Sequence, residues 1–275
     1  MKICFNQATT MKHSTLVQDL EFCEKHGYDL IEIRLDKLRH YLESHTIEDL
    51  AAFFQDNKLK PFAFNALEFI NFRDDAGYKQ IKDDLLFLCE VGEKIDCRKI
   101  VVVPTFDIGH YTRAAIKEEC VRVLHDLADT AEKYNIRLAF EFVGYPHCSV
   151  NTFGQTYDIV QAVNRASVGV VLDCFHFHAM NSNFEDLEAA QADKIFIFHI
   201  DDCEDIPPGV LRDNHRVWPG DGVIALDRIL STLKKIGYNE MVSVELFNPD
   251  YWEMEIEEII RIAKEKTEQV ISKHF

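Results

Sequence analysis

A strand signal followed by an amphipathic helix signal recurs eight times along the chain, and few folds can absorb that alternation. The apolar runs are Lys2 to Asn6, Asp29 to Arg34, Pro61 to Leu67, Lys99 to Pro104, Arg137 to Gly144, Val168 to Phe175, Ile195 to Asp201 and Met241 to Phe247. Their length and their Val, Ile, Leu and Phe content are those of parallel strands covered on both faces. Between them, apolar residues recur at helical spacing. Leu16, Leu20 and Cys23 follow an expected N-cap at Ser14 and precede Gly27; Ile81, Leu85, Leu88 and Cys89 mark a helix over Tyr78 to Lys94. Thr46-Ile47-Glu48-Asp49 and Thr152-Phe153-Gly154-Gln155 have the spacing of capping boxes. Further helices are expected at Thr112 to Tyr134, Phe184 to Ala190, Leu226 to Lys235 and Glu253 to Lys273, and a long loop, Asp202 to Gly222, follows the seventh strand.

Eight such pairs in 275 residues average about 34 residues each, which predicts an α/β fold of the (β/α)8 TIM barrel kind. A doubly wound open sheet would carry a Gly-rich phosphate loop after its first strand, and FNQATT has none. The seven prolines are scattered apart from Pro207-Pro208, and no linker or low-complexity tract interrupts the pattern. Residues 1–275 therefore read as one barrel domain.

Four of the runs carry, near their C-terminal ends, a residue that an apolar strand does not need: Glu141, Asp173, His199 and Glu245. A lone acid in such a run costs several kcal/mol if ionised and unpaired, so a cation or a proton must meet it. Period-two alternation puts Ile195, Ile197, His199 and Asp201 on one face, Ser243 with Glu245, and Ala139 with Glu141. The small residues suit a barrel interior, so all four polar side chains are expected to point inward at the C-terminal mouth, where barrel active sites lie. Singly, each is an ordinary hydrogen-bond partner. Together, on strands 5 to 8, they make the ligand set of one hard divalent cation, Mn2+ first and Zn2+, Co2+ or Mg2+ by the same donors, with two positions left for substrate oxygens. Glu141 and Glu245 are also the expected catalytic proton carriers, and strands 5 and 8 are expected to set them on opposite sides of the substrate.

Other polar residues share the inward parity: Asn6 on strand 1, Glu32 and Arg34 on strand 2, and Asn65 on strand 3. They are candidates to bind substrate hydroxyls, with a structural Glu32–Arg34 pair as the alternative. His176, three residues after Asp173, is expected just above that ligand, whereas His178 reads as a loop or packing residue. In HRVWPGDG, Arg216 is a cation beside an aromatic and a Pro-Gly turn, expected as a substrate clamp, and Arg212 reads as solvated.

A net charge of −17 disfavours nucleic acid, anionic membrane and heavily phosphorylated substrates as partners. The eight cysteines show no CxxC spacing and fall in apolar patterns, as reduced buried residues do. MKICFNQATT lacks a signal-peptide h-region and no run reaches membrane-helix length, so a cytoplasmic chain without a membrane partner is expected. A homo-oligomer is compatible with all of this.

At these residues the chain resembles the xylose-isomerase-like TIM barrels, which include sugar isomerases, keto-sugar epimerases and the type IV endonucleases of DNA repair. The resemblance spans essentially the whole length. CFNQATT, CEKHGYD, EFVGYPHC, VNTF, LDCFHFHAM, FHIDD, RVWPG and VSVELF are most similar to the branch acting on inososes, the ketones of cyclic polyols. The family's metal ligands map to Glu141, Asp173, His199 and Glu245, its substrate-binding histidine to His176, and its arginine after strand 7 to Arg216. The resemblance implies a metal-dependent intramolecular oxidoreductase that moves a ketone between adjacent carbons of a small polyol ketone through a cis-enediolate. A ketose 3-epimerase is the first alternative and a barrel that binds sugar without turnover the second. The endonuclease branch needs histidines at the ends of strands 3 and 4, where this chain has Asn65 and VVVPTFD.

Overall fold

The apolar runs pair in parallel because each can bury both faces, one against the barrel interior and one beneath the helices. In the computed structural model, which describes residues 1–106, 109 and 111–275, the strands are β1 (Lys2–Asn6), β2 (Leu30–Arg34), β3 (Lys60–Leu67), β4 (Lys99–Val102), β5 (Arg137–Glu141), β6 (Val168–Asp173), β7 (Ile195–Ile200) and β8 (Met241–Val244). They close into a barrel in the order β1-β8-β7-β6-β5-β4-β3-β2. This is the expected (β/α)8 architecture. Inward positions hold small residues such as Cys4, Ala63, Ala139 and Ser243, and the alternate positions hold Phe5, Phe64, Phe140 and Phe198, all fully buried. Each of those phenylalanines contributes about 1.5–3 kcal/mol by leaving water.

The helices follow their caps. Leu16–Lys25 starts one residue later than expected, because Thr15 and Gln18 form the capping box while the Ser14 hydroxyl donates to Asp19 at 2.6 Å. Thr46 and Asp49 make both bonds of their box. At Thr152 only half of the box forms: the Gln155 side chain turns away to accept from Asn151 N–H and donate to Ser149 O. Three short helices were not anticipated, Leu35–Tyr41, Cys174–Ala179 and Pro249–Trp252. The second ends β6 early, since Asp173 accepts the His176 N–H at 2.7 Å and so caps a helix where the apolar run predicted continued strand.

The long loop after β7 is itself organised. Asp202–Cys203 pairs antiparallel with Arg216–Val217, and the Asp202 carboxylate accepts the N–H groups of Cys203, Gly220 and Ile224. A side chain at Gly222 would collide with the Cys203 carbonyl and the Asp202 carboxylate, so only glycine lets the loop close this tightly. The loop thereby returns Arg216 to the barrel mouth. All eight cysteines are buried and free, and among the described residues no helix is long and apolar enough to cross a membrane.

Candidate metal centre

Glu141 and Asp173 are the last residues of β5 and β6, His199 lies one residue before the end of β7, and Glu245 follows β8 directly. Cross-strand register aligns Asp173 with His199, whereas Glu141 pairs with Val171 and Glu245 lies two residues beyond the Ser243 partner of His199, so the four side chains converge from staggered strand positions. Each offers one ligand atom, and these atoms all lie within 4.8 Å of one another. All four side chains are buried.

The electrostatics follow from that burial. His199 Nδ1 lies 3.1 Å from Glu141 Oε1, 3.2 Å from Glu245 Oε2 and 3.8 Å from Asp173 Oδ2, while Nε2 faces Glu32 Oε1 at 3.0 Å. Burial opposes a charge on the ring, yet Glu245, Glu32 and Glu141 hold His199 well above the ordinary histidine range. Burial pushes Glu141 up to about 8, with His199 only partly opposing it. For Asp173, burial is outweighed by Arg216, His176 and His199, which hold it well below the usual carboxylate range. Arg216 donates to Asp173 Oδ2 at 2.9 Å, to Asp201 and, at 3.4 Å, to Glu245 Oε2, and its guanidinium lies between the rings of Phe175 and Phe247. The buried acids Glu32, Glu141, Asp173, Asp201 and Glu245 thus outnumber the buried bases they meet among the described residues, His176, His199 and Arg216. An excess of negative charge in a low dielectric, with three oxygens and one nitrogen converging, fits a divalent cation.

The remaining candidates divide sharply. Asn6 Nδ2 donates to Glu245 Oε1 at 2.7 Å and Asn65 Nδ2 does so at 3.4 Å, so both reach the centre by holding a carboxylate. Glu32, expected to bind substrate hydroxyls or to pair with Arg34, makes no pair with Arg34 and is fully buried against His199. Arg34 turns away to Asp36 at 3.0 Å, because it precedes the Leu35–Tyr41 helix and its backbone N–H is taken by Gln7 Oε1. Arg216, expected as a substrate clamp, is fully buried among carboxylates. Its Nη2 donates to His176 Nε2 at 3.2 Å, and His176 Nδ1 has no hydrogen-bond partner among the described residues. His178 lies on the Cys174–Ala179 helix and lines a cavity with Phe177, Phe184 and Ile229, and Arg212 is exposed. Asp107, which ends VVVPTFD, lies outside the described residues. Two residues that sequence reasoning left without a role hold Arg216 in place, Asp201 and, at 3.1 Å, Asp213. Asp201 had a signal, its inward parity with His199; Asp213, in a loop, had none.

The model of the xylose isomerase-like TIM barrel family matches residues 20–266. An inosose isomerase of Halalkalibacterium halodurans is 53% identical over 276 residues, covering 100% of this chain and 98% of the relative. The inosose isomerase of Bacillus subtilis is 51% identical, covering 100% and 99%. Among solved structures, the IolI protein with a bound zinc atom superposes with a TM-score of 0.98 at 51% identity, covering 100% of this chain and 99% of that one. Barrel order, match length and these identities agree: the chain belongs to the xylose isomerase-like TIM barrel family.

Proposed function

We propose that the chain is an inosose isomerase that converts 2-keto-myo-inositol to 1-keto-D-chiro-inositol at a divalent cation held by Glu141, Asp173, His199 and Glu245. The convergence of those four side chains carries the reading, and the inosose isomerases at 51–53% identity support the substrate class. The donor set suits Mn2+, with Zn2+, Co2+ and Mg2+ as alternatives, and zinc is the metal in the similar IolI structure. We place the enzyme in the cytoplasm, in inositol catabolism.

When bound, the cation would polarise the ketone and its neighbouring hydroxyl and so acidify the carbon-bound proton between them. Glu141 is the first candidate to take that proton. Burial raises it to about 8 in the metal-free centre, and a bound cation would displace that proton and leave a carboxylate able to accept one from carbon. The hydroxyl proton crosses to the former carbonyl oxygen, and a carboxyl returns the carbon-bound proton to the former carbonyl carbon. Ketone and hydroxyl exchange places with no change in composition. Asn6 and Asn65 fix the orientation of Glu245 as the second carrier. Arg216 donates to His176 Nε2 and stands as a fixed positive charge beside the developing enediolate, while the unpartnered His176 Nδ1 is left to donate to a substrate oxygen. Incubation of metal-loaded protein with 2-keto-myo-inositol, followed by NMR, tests the reading. We expect the adjacent-carbon ketone as product; binding without turnover, or a product inverted at the original carbon, would overturn it.

The cation affinity carries its own pH signature. With burial lifting Glu141 to about 8, and with the surrounding glutamates raising His199 against the effect of burial, the metal-free centre holds protons at neutral pH that a cation must displace. Protons bound in the metal-free state and lost in the loaded one weaken binding as pH falls. Apparent affinity should therefore rise roughly tenfold per pH unit for each displaced proton up to about pH 8. Calorimetric titrations in buffers of different ionisation enthalpy would show the matching proton release. A flat profile over that range would contradict it.

A further inference from the structure

Glu32 is a fully buried carboxylate on β2, and the mechanism leaves it without a part. Its Oε1 and Oε2 lie 3.0 and 3.3 Å from His199 Nε2, on the side of the ring away from the three carboxylates that face Nδ1. An ionised carboxylate can only accept, so the proton on this contact belongs to Nε2. That choice is not otherwise secured. Glu141, Glu245 and Asp173 crowd Nδ1 and would draw a neutral imidazole's single proton onto the very nitrogen that has to face a cation. We propose that Glu32 is a positioning residue: it holds the proton of His199 on Nε2, sets the ring plane, and leaves the Nδ1 lone pair aimed at the space between Glu141, Asp173 and Glu245.

Sequence and register explain why the task falls to β2. Glu32 pairs across the sheet with Asn6 of β1, and a register shift between Ile31 and Glu32 matches it to Ala63 of β3. The methyl side chain at Ala63 is small, and the Glu32 carboxylate meets the imidazole edge at Nε2. No exposed face remains for a substrate hydroxyl. A histidine ligand whose far N–H is held by a carboxylate is both oriented and made a stronger donor, and loss of such a partner costs 10–100-fold in metal affinity.

The proposal rests on the metal-centre reading above and is independent of the substrate. Cobalt(II) is the probe, since its visible absorption reports ligand geometry without turnover. Wild-type protein should bind one Co2+ per chain; no binding would refute the centre itself. Glu32→Ala should weaken Co2+ binding about 10–100-fold and alter the visible spectrum, while circular dichroism remains that of a folded barrel. Glu32→Gln keeps an oxygen acceptor and should restore affinity to within a few-fold of wild type. Wild-type affinity and spectrum in Glu32→Ala, or a loss that Glu32→Gln does not restore, would overturn the proposal. Should Glu32→Ala fail to fold, zinc-loaded wild-type protein with 15N-labelled histidine gives an independent answer: the proton must be on Nε2 of His199 and the metal on Nδ1, and the reverse assignment would overturn it.

Discussion

Asp173→Asn should leave the barrel folded and strip the centre of its metal. The two parts of the prediction come from the two oxygens of one side chain. Oδ1 accepts the His176 N–H and caps the Cys174–Ala179 helix, a task that Asn performs about as well as Asp. Oδ2 takes a hydrogen bond from Arg216 at 2.9 Å and lies 3.8 Å from His199 Nδ1, which makes it the oxygen offered to a cation. Substitution removes a charge there and replaces the carboxylate with an amide that holds a hard cation poorly. Arg216 keeps Asp201, Asp213 and Glu245, so no buried charge is stranded. Affinity should fall by more than the roughly 100-fold that loss of an outer hydrogen-bond partner costs, and kcat/KM by at least about 10²–10³. Elemental analysis of chelator-free preparations, with a thermal melt as the folding control, decides it. Wild-type metal content in this variant would remove Asp173 from the ligand set.

The four converging side chains were legible because a strand's period of two says which face a residue occupies. Strand ends mark the mouth, and Glu141, Asp173, His199 and Glu245 all stand at or next to one. Face is not height, however. Glu32 and Arg34 share a parity, yet one meets His199 Nε2 and the other turns to Asp36. That difference depends on height in the barrel: Glu32 lies two residues inside β2, whereas Arg34 ends it and stands at the N-cap position of the Leu35–Tyr41 helix. The burial of Arg216 is hidden from the sequence for a related reason. The loop that carries it looks irregular in sequence, but the Asp202 carboxylate gathers the N–H groups of Gly220 and Ile224 and folds it inward. A cation expected as a substrate clamp is paired with the ligand carboxylates Asp173 and Glu245. The extra helix after Asp173 came from the same competition, with a capping carboxylate overriding an apolar run that would otherwise extend as strand.

The carboxylates that carry the proton should separate in heavy water. β5 and β8 have β6 and β7 between them, so Glu141 and Glu245 approach a bound ketone from directions three strands apart rather than from opposite sides of the barrel, as strand counting alone suggested. Their ligand atoms still lie within 4.8 Å of each other, close enough for both to serve one substrate. Glu141 meets His199 through Oε1 and is lifted to about 8 by burial; Glu245 is steadied at Oε1 by Asn6 and Asn65 and at Oε2 by Arg216. A steadied carboxylate is suited to returning a proton along a fixed line, and the less constrained one to taking it first. Glutamine keeps the shape and one coordinating oxygen but cannot accept a proton. On cation-saturated protein, Glu141→Gln should therefore slow exchange of the substrate's carbon-bound proton with D2O by about 10²–10⁴. Glu245→Gln should preserve that exchange while slowing appearance of deuterium at the former carbonyl carbon by a similar factor. If a single carboxylate both takes and returns the proton, one variant loses both signals and the other neither. Exchange at the wild-type rate in both variants would mean that neither glutamate moves the proton, and the mechanism proposed for this centre would fail.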